Sequence, residues 1–241
     1  MTSLFISDLH LDAARPRVID LFADFIATEA NGADALYILG DLFEAWIGDD
    51  AGDETGDRVA DILARLRRSG VPSFFIAGNR DFLLGDPWAR RAGVTLLGDP
   101  ALIDLYGTPT LLMHGDTLCT GDTQYQKVRA MFHAPAWQRS FLEKPAEERR
   151  SFAVQARAES QRYTRDPTHG AIMDVDAGAV QATMQRFGVS RLIHGHTHRP
   201  QIHRLDLDGL VAERIVLGDW YEQGSVLRVR PDGMSLDVLP I

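Results

Sequence analysis

Short apolar runs alternate with helical apolar stripes along most of the chain. Leu4-Phe5-Ile6, Leu36-Tyr37-Ile38-Leu39, Phe74-Phe75-Ile76, Leu111-Leu112-Met113 and Leu192-Ile193 each read as a short buried strand. Between them, residues 17–30 place Val18, Leu21, Phe22, Phe25 and Ile26 on one helical face. Residues 58–68 repeat this with Val59, Ile62, Leu63 and Leu66, and Gly70 followed by Pro72 ends the helix. Such alternation predicts a layered α/β fold. After His198 the pattern becomes strands only, at 202–207, 211–217, 226–229 and 235–239, with Asp208-Gly209 and Pro231-Asp232-Gly233 as turns. These predict a β meander completing a second sheet. From 122 to 166 the strand pattern stops, and two helices are predicted, near 122–133 and 146–164.

The polar residues that end these five runs are more informative than the runs themselves. They are Asp8-Leu9-His10, Gly40-Asp41, Gly78-Asn79-Arg80-Asp81, His114-Gly115-Asp116 and His194-Gly195-His196-Thr197-His198. Ligands gather beyond the carboxyl ends of strands in open α/β sheets, so one site at one sheet edge is expected. Asp8 and His10 are two apart, which on an ideal strand points them the same way and lets them share a cation. Asp41 has two oxygens with which to bridge two cations, and Asn79 offers a neutral carbonyl oxygen. His114, His196 and His198 bring the candidate ligands to seven. Oxygen and imidazole nitrogen without thiolate suit a hydrolytic centre with hard or borderline divalent ions, and a pair of them can act together on a phosphoryl group.

Composition narrows the partners. The chain has 241 residues, 45% of them hydrophobic, enough for a packed core. Its formal charge of −9 argues against nucleic acid as a partner, because non-specific binding relies on neutralising phosphates. The segment 122–166 has the opposite balance: nine Lys or Arg and six Asp or Glu, a net +3 that leaves −12 on the rest. It also carries Met131, Phe132, Trp137, Phe141, Leu142 and Phe152. A basic, aromatic, helical segment fits a cap over an anionic, partly greasy ligand. A lone Cys119 cannot form an intrachain disulfide, and an oxidising compartment is not implied. No secretory leader is expected ahead of the first strand, and the longest apolar runs, about five residues, are far below the roughly twenty that span a bilayer.

The order Asp-x-His, Gly-Asp, Gly-Asn, His-Gly-Asp, Gly-His-x-His resembles the calcineurin-like metallophosphoesterase superfamily. That resemblance implies a four-layer α/β/β/α sandwich; a single domain over 1–241 is expected, with 122–166 inserted in it as a helical, lipid-binding cap. It implies a dinuclear centre with Asp8, His10 and His198 on one ion, Asn79, His114 and His196 on the other, and Asp41 bridging. Many members place a histidine, a general acid, where this chain has Arg80. Arginine cannot deliver a proton at neutral pH but can clamp a phosphate.

The flanking residues narrow the resemblance. Ser7-Asp8-Leu9-His10-Leu11, Gly40-Asp41-Leu42-Phe43-Glu44-Ala45-Trp46, Gly78-Asn79-Arg80-Asp81-Phe82-Leu83 and Ile193-His194-Gly195-His196-Thr197-His198-Arg199-Pro200 are similar to the UDP-2,3-diacylglucosamine pyrophosphatase family of the lipid A pathway. The resemblance implies hydrolysis of UDP-2,3-diacylglucosamine to UMP and 2,3-diacylglucosamine 1-phosphate (lipid X), by a metal-activated hydroxide attacking the α-phosphorus. It also implies two Mn²⁺ per chain and peripheral attachment at the cytoplasmic face of the bacterial inner membrane; a monomer is expected. The family's substrate contacts fall on Asn79, Arg80, Asp122, Ser160, Thr164 and His196. A family lysine has no match near Asp166, and Arg162 or Arg165 is the expected substitute. Asp116 is expected to orient His114 or a neighbouring ligand from behind.

Overall fold

The computed structural model describes residues 1–164 and 174–240. Two sheets lie face to face. The first is built from β1 (Ser3–Ile6), β2 (Ala35–Leu39), β3 (Ser73–Ile76), β4 (Val94–Leu97), β10 (Gln223–Arg230) and β11 (Gly233–Pro240), in the order β11-β10-β1-β2-β3-β4. The second is built from β5 (Ala101–Leu105), β6 (Thr108–Leu112), β7 (Arg191–His194), β8 (Gln201–Leu207) and β9 (Leu210–Val216), in the order β5-β6-β7-β9-β8. Strands β1 to β4 run parallel, as do β6, β7 and β9.

Three apolar clusters define the layers. Phe5, Leu39, Ile76, Leu112, Ile193 and Leu227 fill the space between the sheets. On the outside of the first sheet, Leu4, Ile6 and Ile38 meet α1 (Pro16–Thr28), α2 (Glu54–Arg68) and α3 (Asp86–Ala92). On the outside of the second, Leu111 and Leu192 meet Val180 and Met184 of α7 (Ala177–Phe187). Helices, sheet, sheet and helix make the expected α/β/β/α sandwich. Strands buried on both faces explain why the sequence shows continuous apolar runs rather than alternation.

Local chemistry sets the helix ends. Pro16 opens α1, where its missing N–H costs nothing. Asp53 caps α2 by accepting from Gly56 N at 2.9 Å, and Gly70, with φ of 98°, turns the chain out of it.

Two expectations change. The strands after His198 do not form one meander. The β8–β9 hairpin joins the second sheet, while β10–β11 returns to the first and pairs antiparallel with β1. Trp220 carries the crossing: it is fully buried, its backbone N–H donates to Asp8 O at 3.0 Å, and its ring meets Phe22 and Phe25 edge-on. The return covers an edge of β1 that would otherwise present unpaired backbone groups. Residues 122–164 hold three α-helices rather than two: α4 (Thr123–Phe132), α5 (Pro135–Leu142) and α6 (Ala146–Thr164). Pro135 cannot continue α4, but it suits the first position of α5.

Candidate metal centre

The five polar clusters meet at the carboxyl ends of strands from both sheets, not at one edge of one sheet. β1, β2 and β3 deliver Asp8, His10, Asp41 and Asn79, and β6 and β7 deliver His114, His196 and His198. Hydrogen bonds stitch the ends together: Asp8 N to Gly40 O at 3.0 Å, His10 N to Asp41 O at 2.9 Å and Gly195 N to His114 O at 2.8 Å.

Asp8 and His10 do share a focus, but not through strand alternation. Both lie beyond β1 with positive φ, 55° and 50°. Asp41, His196 and His198 also have positive φ, of 52°, 67° and 55°. Five of the seven candidate ligands thus occupy the left-handed region that side-chain-bearing residues disfavour. Strain of this kind persists only where surrounding contacts enforce it.

The ligand atoms converge. One nitrogen or oxygen from each of Asp8, His10 and His198 lies within 4.8 Å of the others, and so does one from each of Asp8, Asp41 and His114. The Nε2 atoms of His10 and His198 are 3.3 Å apart, and His198 Nε2 is 3.3 Å from Asp8 Oδ1. Asn79 Oδ1 sits 2.9 Å from His114 Nε2 and 3.0 Å from His196 Nδ1. Asp41 spans the gap, with Oδ1 3.8 Å from His114 Nε2 and Oδ2 3.9 Å from His10 Nδ1. Asp8, His10 and His114 are fully buried and Asp41 nearly so. Burial alone would raise the Asp8 carboxyl, but His198, His114 and His10 hold it well below the usual carboxylate range. Burial likewise pulls His114 down, but the charges of Asp41, Asp8 and Asp116 outweigh it and push the imidazole up to about 9. Burying so many polar atoms is costly unless they are paired, hydrogen-bonded or bound to a metal.

The outer contacts were harder to foresee. His114 is oriented by Leu39, not by Asp116: its Nδ1 donates to Leu39 O at 2.9 Å. That bond puts a proton on Nδ1, so Nε2 is the nitrogen that would ligate. Asp116 Oδ2 instead accepts from Tyr125 Oη at 2.8 Å and pairs with Arg129, tying α4 to the centre. Asp81 accepts from the N–H groups of Gly78 and Leu42, both at 2.7 Å, and locks the loops after β2 and β3 together. Burial, then the Asp41 charge, pushes the Asp81 carboxyl up to about 7.

Two cavities open beside the cluster. A polar one of about 430 Å³ has Asp41, Asn79, His196 and His198 among its walls, together with Asp122 and Ser160. An apolar one of about 360 Å³ is lined by Trp46, Phe82, Phe132, Trp137, Phe141 and Phe152. Asn79, Arg80, Tyr125, Arg157, Ser160 and Tyr163 line both. Of the expected contacts, Arg80 pairs with Glu44 at 2.8 Å and Asp41 at 3.4 Å. Asp122 caps α4 through Tyr125 N at 2.9 Å and accepts from Tyr163 Oη at 3.1 Å. Arg162 is exposed, its Nε donating to Ala158 O at 3.4 Å, and it lines neither cavity. The side chain of Thr164 and all of Arg165 lie outside the described residues. Arg157 is the α6 arginine that faces the site; nothing in its sequence position distinguishes it from its exposed neighbours. Glu44 and Tyr221 were also invisible as site residues, Tyr221 stacking on His10 with ring centroids 4.9 Å apart.

A two-sheet sandwich with buried carboxylates and imidazoles converging at its strand ends defines a metal-dependent phosphoesterase. A sequence profile described as calcineurin-like phosphoesterase matches residues 1–200. The chain is 56% identical over 247 residues to the UDP-2,3-diacylglucosamine hydrolase of Xanthomonas axonopodis pv. citri (strain 306), covering 100% of both chains. It is 57% identical over 245 residues to the enzyme of that name from Stenotrophomonas maltophilia (strain K279a), covering 99% of both. The chain belongs to the calcineurin-like phosphoesterases and, within them, to the UDP-2,3-diacylglucosamine hydrolase family.

Proposed function

We propose that this enzyme hydrolyses UDP-2,3-diacylglucosamine to UMP and 2,3-diacylglucosamine 1-phosphate. The observation that carries this reading is the pair of adjoining cavities, one polar over the ligand cluster and one aromatic, with Arg80 and Arg157 on their shared wall. A substrate with a diphosphate between a nucleoside and a diacylated sugar matches that division. Full-length identity to hydrolases named for this substrate supports it.

The donor set fits two divalent ions. Asp8 Oδ1 is buried without a hydrogen bond, which protein interiors rarely tolerate. Asp8, His10 and His198 would hold one ion, and Asn79, His114 and His196 the other, with Asp41 between them. Mixed oxygen and imidazole donors suit Mn²⁺. Such ions, when bound, supply a nucleophile from water at neutral pH and neutralise phosphoryl charge.

The chain's own groups do the rest. Water adds to the α-phosphorus and loses a proton to solvent, the bond to the bridging oxygen breaks, and the sugar phosphate leaves with the electron pair. Arg80 and Arg157 stabilise the negative charge on the diphosphate and the departing phosphate. A phosphate leaving group is already weakly basic, so the absence of a histidine acid at position 80 is no handicap. Residues 122–166 act as the cap, with acyl chains in the aromatic cavity; each buried CH₂ contributes about 0.8 kcal/mol. Asn79, Asp122, Ser160 and His196 contact the sugar and phosphate.

No described helix is long and apolar enough to cross a membrane. Met131 and Val154 expose apolar surface on the basic cap, which suits peripheral contact with the cytoplasmic face of an inner membrane. The direct test is UMP release from UDP-2,3-diacylglucosamine with and without Mn²⁺. No UMP from the loaded enzyme would defeat the reading.

A further inference from the structure

One carboxylate outside the ligand set touches both halves of the site. Glu44 lies on the loop after β2, its N–H donating to Leu11 O at 3.2 Å. Its Oε1 stands 2.8 Å from Arg80 Nη1 and also accepts from Arg157 Nε on α6. Two guanidinium groups therefore converge on one oxygen, as they would on a shared phosphate oxygen.

The other oxygen faces the metal cluster. Glu44 Oε2 is buried without a hydrogen bond and lies 3.7 Å from His10 Nδ1, which is buried and equally unpartnered. His10 turns Nε2 the opposite way, toward His198. A histidine that ligates through Nε2 carries its proton on Nδ1, and a carboxylate behind it sets ring orientation and basicity. Tyr221 closes the circuit: it lies parallel to the His10 ring within 16°, and its hydroxyl accepts from Arg157 Nη2 at 3.4 Å.

We propose that Glu44 is a positioning residue joining the His10 ligand to the arginines of the diphosphate clamp, so that metal affinity and engagement of the cap depend on one carboxylate. This rests on the dinuclear reading above. A simple ion pair pinning α6 to the core would predict something else: breaking it from either side would have the same effect, and metal affinity would not change.

The test titrates Mn²⁺ calorimetrically into metal-free wild type, Glu44→Gln, Glu44→Ala and Arg157→Ala, with circular dichroism melts to establish folding. UMP release is then measured for each loaded enzyme. Both Glu44 variants are expected to lose roughly 10–100-fold in Mn²⁺ affinity, the range for removing the outer partner of a ligating histidine. Arg157→Ala should keep wild-type Mn²⁺ affinity and raise KM instead. A folded Glu44→Gln or Glu44→Ala protein with wild-type Mn²⁺ affinity overturns the proposal. Wild type that takes up no Mn²⁺ would instead sink the dinuclear reading itself.

Discussion

The backbone N–H of His196 donates to Asp8 Oδ2 at 2.9 Å, across 188 residues of chain. Ser7 Oγ donates to the same oxygen at 2.6 Å. Oδ2 thus holds the last ligand loop against the first strand, while Oδ1 is left without a hydrogen bond beside His198. Asp8→Asn keeps an acceptor for the His196 N–H but removes the anionic ligand. The metal-free variant should melt within a few degrees of wild type and lose more than roughly 100-fold in turnover, beyond the usual cost of removing an outer partner. Thermal melts paired with UMP release check this; wild-type turnover would contradict the ligand role.

Gly78 lets two loops touch. A Cβ there would sit 2.2 Å from Asp41 Oδ1 and 2.4 Å from Asp41 N. Neither atom can yield, since Asp41 Oδ1 already accepts from Arg80 N at 2.9 Å. Gly78→Ala is expected to lose about 1–3 kcal/mol, the ordinary cost of overpacking, and to weaken Mn²⁺ binding. Denaturant unfolding and metal titration would show both; an unperturbed protein would mean the loop has slack.

Asp99 has both carboxylate oxygens buried without a hydrogen bond. Burial, then the charge of Asp116, pushes its carboxyl up from 3.8 to about 6. The folded state therefore holds a proton that the unfolded chain releases at lower pH. Stability from this group is present below about pH 4 and is lost as pH rises through about 6. Asp99→Asn removes the charge, so above pH 6 it should melt several degrees higher than wild type, corresponding to on the order of 3 kcal/mol. The gap should close toward pH 4. Melts across pH 4 to 8 would detect it, and a gap independent of pH would rule out the electrostatic cause.

Arg149 pins the start of α6 to the loop after β2. Its side chain is 2% exposed, with Nη1 donating to Ile47 O at 2.7 Å and Asp50 Oδ1 at 2.8 Å. Gly48 makes room: with φ of 121°, its place would otherwise hold a Cβ 2.5 Å from Nη1. Arg149→Ala should free the start of α6 and raise KM for the diacylated substrate by roughly 10-fold, the effect of about 1.4 kcal/mol. Hydrolysis of bis(p-nitrophenyl) phosphate, too small to need the cap, should change little. Equal losses on both substrates would mean that Arg149 supports the core rather than the cap.

Much of the fold was readable because burial on both faces writes strands as unbroken apolar runs, as in β1 and β2. The helical stripes of α1 and α2 were readable for a related reason, since one face must meet a sheet. Short, half-exposed elements carried no such mark: α5 is eight residues long, and only His133 and Ala134 separate it from α4. The partners of Asp116 could not be foreseen either, because Tyr125 and Arg129 reach it only when α4 folds back over the centre.

The candidate ligands were a property of the sequence alone: Asp8, His10, Asp41, Asn79, His114, His196 and His198, each placed just beyond a strand. Which atoms meet was decided in three dimensions. Left-handed turns at Asp8, His10, Asp41, His196 and His198 aim side chains that strand periodicity would have sent elsewhere. The return of β10 to the first sheet, and the fall of Glu44, Arg157 and Tyr221 around His10, are likewise long-range outcomes. Ligand type is local chemistry and survives in the linear chain, whereas convergence depends on backbone turns and on packing between segments far apart in sequence.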